Sequence, residues 1–183
     1  MRAAARPTRA QLEAARDSRI TDVVAPRLRV LFCGINPSLY SGAVGHHFAR
    51  PGNRFWPALH GAGFTDRLLS PFEDARLVEF GLGCTNLVAR ATARADELGA
   101  DELRAGAERL RALAEAHRPA WIAVLGIGAY RLAVGHAGAG IGPQPAAIGP
   151  ASIWLLPNPS GLNAHYQMPE LVAAFRRLRE ASS

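Results

Sequence analysis

Short apolar runs divide the chain and predict its strands. Residues 29–35 form a run in which hydrophobic side chains do not alternate with polar ones. A strand of this kind is buried on both faces, as in a parallel sheet covered by helices. Similar runs predict three further strands at 83–88, 121–125 and 152–156.

Helical periodicity appears between these runs. In residues 101–117, Leu103, Ala107 and Leu110 share one helical face, and acidic residues stand in the first turn, where the helix dipole favours them. The same reasoning predicts helices at 53–60 (capped by Asn53), 71–80, 127–134 and 169–180. Strands that alternate with helices predict an α/β fold, a three-layer α/β/α sandwich around a short, mainly parallel four-stranded sheet.

Three segments lack such periodicity and are predicted to be loops: 36–52, 89–99 and 135–150. Residues 1–25 are rich in alanine and arginine, with at most a turn or two of helix at 11–19. We expect this basic extension to be loosely held, either as a solvated tail or as an arm that touches a nucleic-acid backbone. Residues 26–183 are then a single domain.

Composition narrows the class of protein. The 183 residues are 49% hydrophobic, enough for one substantial core, and no apolar run approaches the roughly 20 residues of a membrane span. The first nine residues lack the apolar block of a secretory signal. Cys33 and Cys84 both fall in predicted strands, which favours buried thiols in a reducing compartment over a disulfide. We therefore expect a cytoplasmic protein.

The charge leaves two explanations open. The net charge is +6, and all 21 basic residues are arginine. Guanidinium groups suit an anionic partner such as phosphate, but a general bias towards alanine, arginine and glycine would give the same count.

Two predicted strands end in the same sequence. Asn36-Pro37-Ser38 follows the first strand, and Asn158-Pro159-Ser160 follows the last. Ligands of open parallel sheets bind outside the carboxyl ends of the strands, and proline biases the preceding asparagine towards an extended conformation. The pattern predicts that both asparagines border one binding site.

Four motifs in order resemble a known family. Gly34–Leu39 (GINPSL), Phe48–Trp56 (FARPGNRFW), Thr85–Val88 (TNLV) and Leu156–Leu162 (LPNPSGL) are similar to motifs of the mismatch-specific uracil-DNA glycosylases, the branch of the uracil-DNA glycosylase superfamily that includes thymine-DNA glycosylase. The resemblance covers about residues 26–181. It implies a monofunctional enzyme that flips uracil, or a related modified pyrimidine, out of G·U-type mismatched double-stranded DNA and hydrolyses its N-glycosidic bond. It also implies no cofactor and a monomer.

The resemblance assigns roles to individual residues. Asn36 would position the attacking water, where other branches of the superfamily carry aspartate. Phe48 would stack on the extruded base, and Leu162, on the Gly161-Leu162 tip, would fill the gap that the base leaves in the duplex. The further residues implied are Ile35, Tyr40, Ser41 and Asn158 in the base pocket, and Ser160, Asn163, Arg50 and Arg54 at the DNA.

Two further positions bear on the chemistry that the resemblance implies. Asn86 stands where some members of the family carry a basic residue, which would weaken any phosphate contact there. Asp96, in the loop after the second strand, is a candidate carboxylate that could compensate for asparagine at position 36; its alternative role is helix capping with Glu97. Arg90 is a further candidate for the DNA backbone.

Other functions were weighed against this one. Gly126-Ile127-Gly128 follows a strand, as in the dinucleotide fingerprint of NAD-dependent oxidoreductases. Arg131 replaces the third small residue and no acidic residue follows about 20 positions later, which argues against such an enzyme. His46-His47 lacks partners at metal-ligand spacing, so no metal is expected. A protein that binds damaged or mismatched DNA without cleaving it remains the main alternative.

Overall fold

Five strands form one sheet in the computed structural model, which describes residues 6–183. The strands are β1 (Val30–Gly34), β2 (Leu82–Asn86), β3 (Trp121–Leu125), β4 (Gly142–Ile148) and β5 (Ala151–Leu156). Their order in the sheet is β2-β1-β3-β5-β4, and all neighbours run parallel except β4, which is antiparallel to β5.

Helices cover both faces of the sheet. They are α1 (Arg9–Ala14), α2 (Leu39–Val44), α3 (Phe55–Gly61), α4 (Ala100–His117), α5 (Ile127–Val134) and α6 (Met168–Ala181), with 3₁₀ helices at Pro71–Phe80 and Ala95–Glu97. Helices α3 and α6 pack on one face, and α4 and α5 on the other. None of the helices in residues 6–183 is both long and apolar enough to span a membrane. The predicted three-layer α/β/α fold is confirmed, with five strands where the sequence predicted four.

The position of β1 between two helical layers explains why its hydrophobic residues do not alternate with polar ones. Phe32 faces the α3–α6 layer, where its ring lies 5.3 Å from that of Phe55, whereas Leu31 and Cys33 face the α4–α5 layer. All five residues of β1 are buried. Because β1 lies between β2 and β3, its carboxyl end stands between two neighbouring strand ends at one edge of the sheet.

The prediction that residues 135–150 form a loop was wrong. Prolines 143 and 145 argued against a strand, but β4 lies at the edge of the sheet and its pairing with β5 shifts register between Pro143 and Ala147. An edge strand with such an irregularity tolerates residues that cannot donate to the ladder.

Residues 36–52, also predicted to be a loop, contain the short helix α2. Ser38 caps it: its Oγ accepts the Ser41 N–H at 3.1 Å, and Gly45 ends the helix in the left-handed conformation. A capping serine directly after a proline was the available signal, but six residues are too few to show periodicity.

The N-terminal segment is held to the domain over its described part. Val23 pairs with Cys84 on β2, and Asp22 accepts hydrogen bonds from Thr85 (2.7 Å) and from Arg109 of α4. The expectation of a loosely held extension therefore does not describe residues 15–25, because main-chain hydrogen bonds and a buried Ala15 fix them. Residues 1–5 lie outside the described part.

Candidate active site

A cavity of about 500 Å³ opens at the carboxyl ends of β1, β3 and β5. It is lined by most of the residues that the sequence singled out: Ile35, Asn36, Ser41, Phe48, Arg50, Asp96, Asn158, Ser160 and Leu162. The two Asn-Pro-Ser segments therefore do border one cavity. A second, smaller cavity of about 220 Å³ adjoins it between the Arg50–Asn53 turn and the loop that carries Gly161 and Leu162.

Four predicted site residues do not line the main cavity. Tyr40 is on α2, outside the lining, and Gly161 borders only the smaller cavity. Asn163 and Arg54 are used within the Leu162 loop, as described below. Tyr40 therefore does not border the cavity where the base pocket was predicted.

The amide of Asn36 has one fixed orientation. Its Nδ2 donates to the carbonyl oxygen of Arg90 at 3.0 Å and to Oγ1 of Thr92 at 2.7 Å. Thr92 Oγ1 uses its own proton on the Arg94 carbonyl at 2.7 Å, so it can only accept from Asn36. Both partners are acceptors, which leaves the Asn36 Oδ1 as the atom available to accept a hydrogen bond in the cavity. Sequence reasoning missed Thr92, whose role depends on a contact 56 residues away.

Asp96 lies at the margin of the cavity. Its carboxylate pairs with Arg94 at 2.7 Å, and its side chain is 64% exposed. Glu97, not Asp96, supplies the helix cap by accepting the Arg94 N–H at 2.8 Å. The catalytic role of Asp96 stays a prediction.

Phe48 forms one side of the cavity. Its ring stacks on Phe55 with the centroids 4.1 Å apart, and its backbone is in the left-handed region with φ of 53°. A non-glycine residue there costs on the order of 1–3 kcal/mol, which the stacking and the surrounding contacts must offset. Ser41 helps to hold this segment, because its Oγ accepts the Ala49 N–H at 3.1 Å. The aromatic ring is thus held rigidly beside an open space.

Asn86 occupies the inner end of the cavity. It ends β2, is 6% exposed, and its Oδ1 lies only 2.5 Å from where a Cβ at Gly34 would stand. A side chain at position 34 would therefore displace the Asn86 amide. The sequence treated Asn86 as a weakened phosphate contact, whereas the structure shows a buried residue that lines the cavity.

His47 stands behind Asn86. Its Nε2 lies 3.0 Å from the Thr21 carbonyl, which can only accept, so Nε2 carries the proton and Nδ1 is left to accept from Asn86 Nδ2 at 3.5 Å. Burial lowers the pKa of His47 below its usual 6.5, which keeps the ring neutral in this tautomer. His46 and the His47 N–H both bind Asp74, at 3.0 and 2.9 Å. The two histidines are thus used in hydrogen bonds within the fold.

The Leu162 loop projects a single large apolar side chain. Leu162 is 75% exposed, the most of any large hydrophobic residue in the described chain. The loop beneath it is ordered by its asparagines: Asn158 Oδ1 accepts the Ser160 N–H at 2.9 Å, and Asn163 Nδ2 donates to the Asn158 carbonyl at 3.0 Å. Leu162 is therefore an exposed tip on a braced loop.

Arg54, which was predicted to contact the DNA backbone, makes its hydrogen bonds within the protein. Its guanidinium group donates to carbonyl oxygens of the Leu162 loop: Ser160 at 2.7 Å, Asn163 at 2.9 Å and Tyr166 at 2.5 Å, with a longer bond to Pro159 at 3.4 Å. The side chain is only partly exposed, and these bonds use four of its five N–H donors. Arg54 positions the loop.

Arg90 is also paired within the protein. Its guanidinium group pairs with Glu102 at 2.6 Å and with Asp17 at 3.1 Å. The Arg90 side chain lowers the pKa of Glu102 to about 2, so this pair stays ionised through the neutral range. Arg50 differs from both, because it is exposed and borders both cavities.

The glycines after β3 do not form a phosphate loop with the site. Gly126 begins α5 with φ of 136°, and a Cβ there would stand 3.2 Å from Cδ1 of Ile35. Its N–H donates to the Leu156 carbonyl at 3.0 Å, which ties β3 to β5. Close packing against Ile35 explains this glycine.

Comparison with known proteins agrees with this geometry. Residues 21–180 match the sequence model of the Uracil DNA glycosylase superfamily. Among solved structures, the chain resembles the solution NMR structure of a Methanosarcina acetivorans protein provisionally assigned as a uracil DNA glycosylase. The identity is 20%, the alignment covers 89% of this chain and 98% of the other, and the TM-score is 0.58, which supports the shared fold. With 160 of its 183 residues inside the family match, this chain belongs to the Uracil DNA glycosylase superfamily.

Proposed function

We propose that this DNA glycosylase acts on G·U-type mismatches in double-stranded DNA and removes uracil as a monofunctional hydrolase. The observation that carries the proposal is that Asn36, Phe48 and Leu162 border one cavity. A water-binding amide, a flat aromatic surface and an exposed apolar tip are the three parts that base flipping and hydrolysis require. The protein would work as a monomer and without a cofactor.

Flipping is the task of Leu162. Extruding a base costs roughly a few kcal/mol of stacking and pairing, and least when the base is mispaired. Burying a leucine side chain in the base stack stabilises the complex by about 1.5–3 kcal/mol, which offsets part of that cost. The balance favours mismatched over paired uracil, because extruding a mispaired base requires less free energy from the insertion of Leu162.

The flipped base would lie on Phe48 with its edge towards Asn86. A carboxamide offers one donor and one acceptor, which match O4 and N3–H of uracil. His47 fixes the amide, because its Nδ1 accepts from Asn86 Nδ2. Cytosine presents the opposite pattern, an amino donor and a ring acceptor, so a fixed amide would discriminate against it.

Hydrolysis would start at Asn36. Its free Oδ1 accepts a hydrogen bond from a water molecule and orients it towards C1′ of the flipped nucleotide. The C1′–O bond forms as the C1′–N1 bond breaks, and the electron pair leaves with uracil as an anion. The proton that the attacking water loses passes to solvent, from which the uracil anion takes up a proton. An amide cannot take the proton of the water as a carboxylate can, which would make the enzyme slower, unless Asp96 accepts it.

Phosphate contacts would come from the exposed Arg50 together with Ser160. Arg50 borders both cavities, next to the Leu162 tip. A protein that binds mismatched DNA without catalysis is the second candidate, favoured by the amide at position 36.

One experiment separates the two candidates. A labelled duplex with a single G·U pair is incubated with excess protein, and one half is resolved under native conditions while the other is treated with alkali. A glycosylase leaves an abasic site, so alkali breaks the labelled strand at the uracil position. A mobility shift without breakage would instead show a binding protein.

A further inference from the structure

The segment before the family match contributes to the site. Residues 8–20 precede the match, which begins at residue 21, yet they pack beside the cavity. Asp17 N donates to the Ala91 carbonyl at 3.0 Å, and Ala91 N donates to the Ser18 carbonyl at 2.9 Å. Arg16 pairs with Glu97 at 2.7 Å. The segment is thus attached to the 90–97 loop by main-chain and side-chain contacts.

The same loop holds Asn36 from its other side. Thr92 N donates to the Pro37 carbonyl and Leu39 N to the Thr92 carbonyl, both at 3.1 Å. Residues 90–92 therefore lie between the N-terminal segment and the strand end that carries Asn36. Since the Asn36 amide is bound by Arg90 and Thr92, the N-terminal segment completes the support of that amide.

Close packing against α2 fixes where the segment lies. A Cβ at Gly42 would stand 2.4 Å from Oγ of Ser18 and 3.3 Å from the carbonyl oxygen of Ala15. Ala15 is 6% exposed. Such contacts require glycine at position 42 and leave the segment little freedom to shift.

The segment ends in Ile20, which lines the main cavity together with Asn36, Ser41 and Phe48. A pocket made only of residues inside the family match would not need residues 11–19. In this protein, those residues hold Ile20 at the cavity. We propose that Ile20 is a specificity-determining residue of the base pocket, held in place by the N-terminal segment, and that it limits the size of the pyrimidine that the cavity accepts. This inference rests on the proposed glycosylase function.

The test compares bases of graded size. Single-turnover rates are measured for duplexes with uracil, 5-fluorouracil, thymine or 5-hydroxymethyluracil opposite guanine, for the wild-type protein and Ile20→Ala. Removing a branched side chain from the wall should raise the rate ratio of the larger bases to uracil by about 10-fold or more, the effect of one or two methylene groups in an apolar pocket. A merely structural role would lower all four rates by one factor and leave the ratios unchanged, which would overturn the proposal.

Two further variants keep the outcome decisive. Val24→Ala is the matched control, because Val24 packs against the core and does not line the cavity; its ratios should equal those of the wild type. Gly42→Ala should displace the segment, so it should shift the ratios in the same direction as Ile20→Ala and also lower the uracil rate through Asn36. Unchanged ratios in Ile20→Ala would refute the inference whatever Gly42→Ala shows, while a wild-type protein that releases no base from any duplex would refute the glycosylase function itself.

Discussion

Asn36, the residue proposed to position the attacking water, has an orientation that its neighbours determine. Both amide hydrogens are bound to acceptors, the Arg90 carbonyl and Thr92 Oγ1, so the pocket is built for an amide. A carboxylate cannot donate, and it would place an oxygen about 3 Å from a carbonyl oxygen. The aspartate found at this position in other branches of the superfamily therefore does not suit these neighbours.

We accordingly expect Asn36→Asp to lower the rate of uracil release, although aspartate is the better base. Two unpaired acceptors cost about 1–3 kcal/mol each. The fraction of molecules in which the side chain is correctly positioned should therefore fall by roughly 10-fold or more. Single-turnover kinetics on a G·U duplex provide the measurement. A rate for Asn36→Asp above that of the wild type would show that the orientation of the amide is unimportant.

His47 links the base pocket to pH. Because burial lowers its pKa, the unfolded chain takes up a proton near pH 6.5 while the native protein does so only at lower pH. The contribution of the neutral ring to stability is therefore complete above pH 6.5 and is lost as the pH falls below it. Protonation also places a donor at Nδ1 opposite the Asn86 Nδ2, which should turn the amide away from its uracil-binding orientation.

Uracil release should thus fall on acidification, with a midpoint below pH 6.5, and the profile of His47→Gln should be flatter because an amide does not titrate there. Each rate is normalised to the maximum of the same variant, so that a loss of folded protein does not affect the comparison. The exposed His136 gives the matched control, and His136→Gln should keep the wild-type profile. If His47→Gln titrates like the wild type, the acidic limb belongs to another group.

Most predictions about the strand ends came from motifs of consecutive residues. Asn36, Phe48 and Leu162 were found from motifs whose residues are consecutive. Thr92 and His47 were not, because each acts through a partner more than 25 residues away that only the folded chain brings close. Long-range hydrogen bonds leave no periodic or local pattern in a sequence.

The Leu162 loop and α3 behave as one unit through Arg54. The loop N-terminal to α6 has little apolar surface of its own, and the guanidinium group of Arg54 joins four of its carbonyl groups. Gly161 packs closely against the Gly52 carbonyl, since a Cβ at position 161 would stand 2.6 Å from that oxygen. The position of the Leu162 tip therefore depends on a residue in a different motif.

Replacing Arg54 with lysine should impair flipping more than hydrolysis. An ammonium group lacks the planar fork and cannot reach all four carbonyls, so the tip would lose its fixed position. We expect Arg54→Lys to reduce uracil release from a G·U duplex by about 10-fold. The reduction should be smaller when the uracil stands opposite an abasic site, where no pairing partner has to be displaced.

Arg67→Lys is a suitable control for this measurement, because Arg67 pairs with Glu73 at 2.6 Å outside the cavity lining and should not alter either rate. Equal losses on both duplexes for Arg54→Lys would contradict its role in positioning the wedge and would point to general destabilisation.

The elements that were wrongly predicted to be loops are short or irregular. Strand β4 was hidden by its prolines and α2 by its length, whereas α4, α5 and α6 were predicted to within one residue at each end because they show helical periodicity. The loosely held extension was inferred from its low apolar content. Its described part is nevertheless fixed by main-chain bonds to Ala91 and Cys84, which sequence composition does not reveal.

The whole molecule carries a net charge of +6, but its arginines are not equivalent. Arg54 and Arg90 are consumed by carbonyl and carboxylate partners, whereas Arg50 is exposed between the two cavities. Total charge therefore overstates the number of arginines available to DNA. The sequence left open whether the charge reflects a partner or a bias, and only the geometry separates the two kinds of arginine.

The salt dependence of DNA affinity distinguishes the exposed Arg50 from the arginines that are paired within the protein. Neutralising one phosphate contact reduces the slope of log affinity against log salt by about 0.9. Arg50→Gln should therefore lower the slope for a G·U duplex by about one unit, measured by fluorescence anisotropy at several salt concentrations. Arg111→Gln, which removes a charge from α4 beside Glu108, should leave the slope as in the wild type. Identical slopes for Arg50→Gln and the wild type would exclude Arg50 from the phosphate contacts.

The most direct test asks whether one cavity performs both flipping and hydrolysis. A duplex that carries 2-aminopurine next to a G·U pair reports base extrusion by fluorescence, and quenched samples report uracil release in the same single turnover. Asn36→Ala should keep the fluorescence change and lose release by ~10²-fold or more, whereas Leu162→Ala should lose the fluorescence change and release together. Release at the wild-type rate by Asn36→Ala, or an unchanged fluorescence signal in Leu162→Ala, would contradict the account.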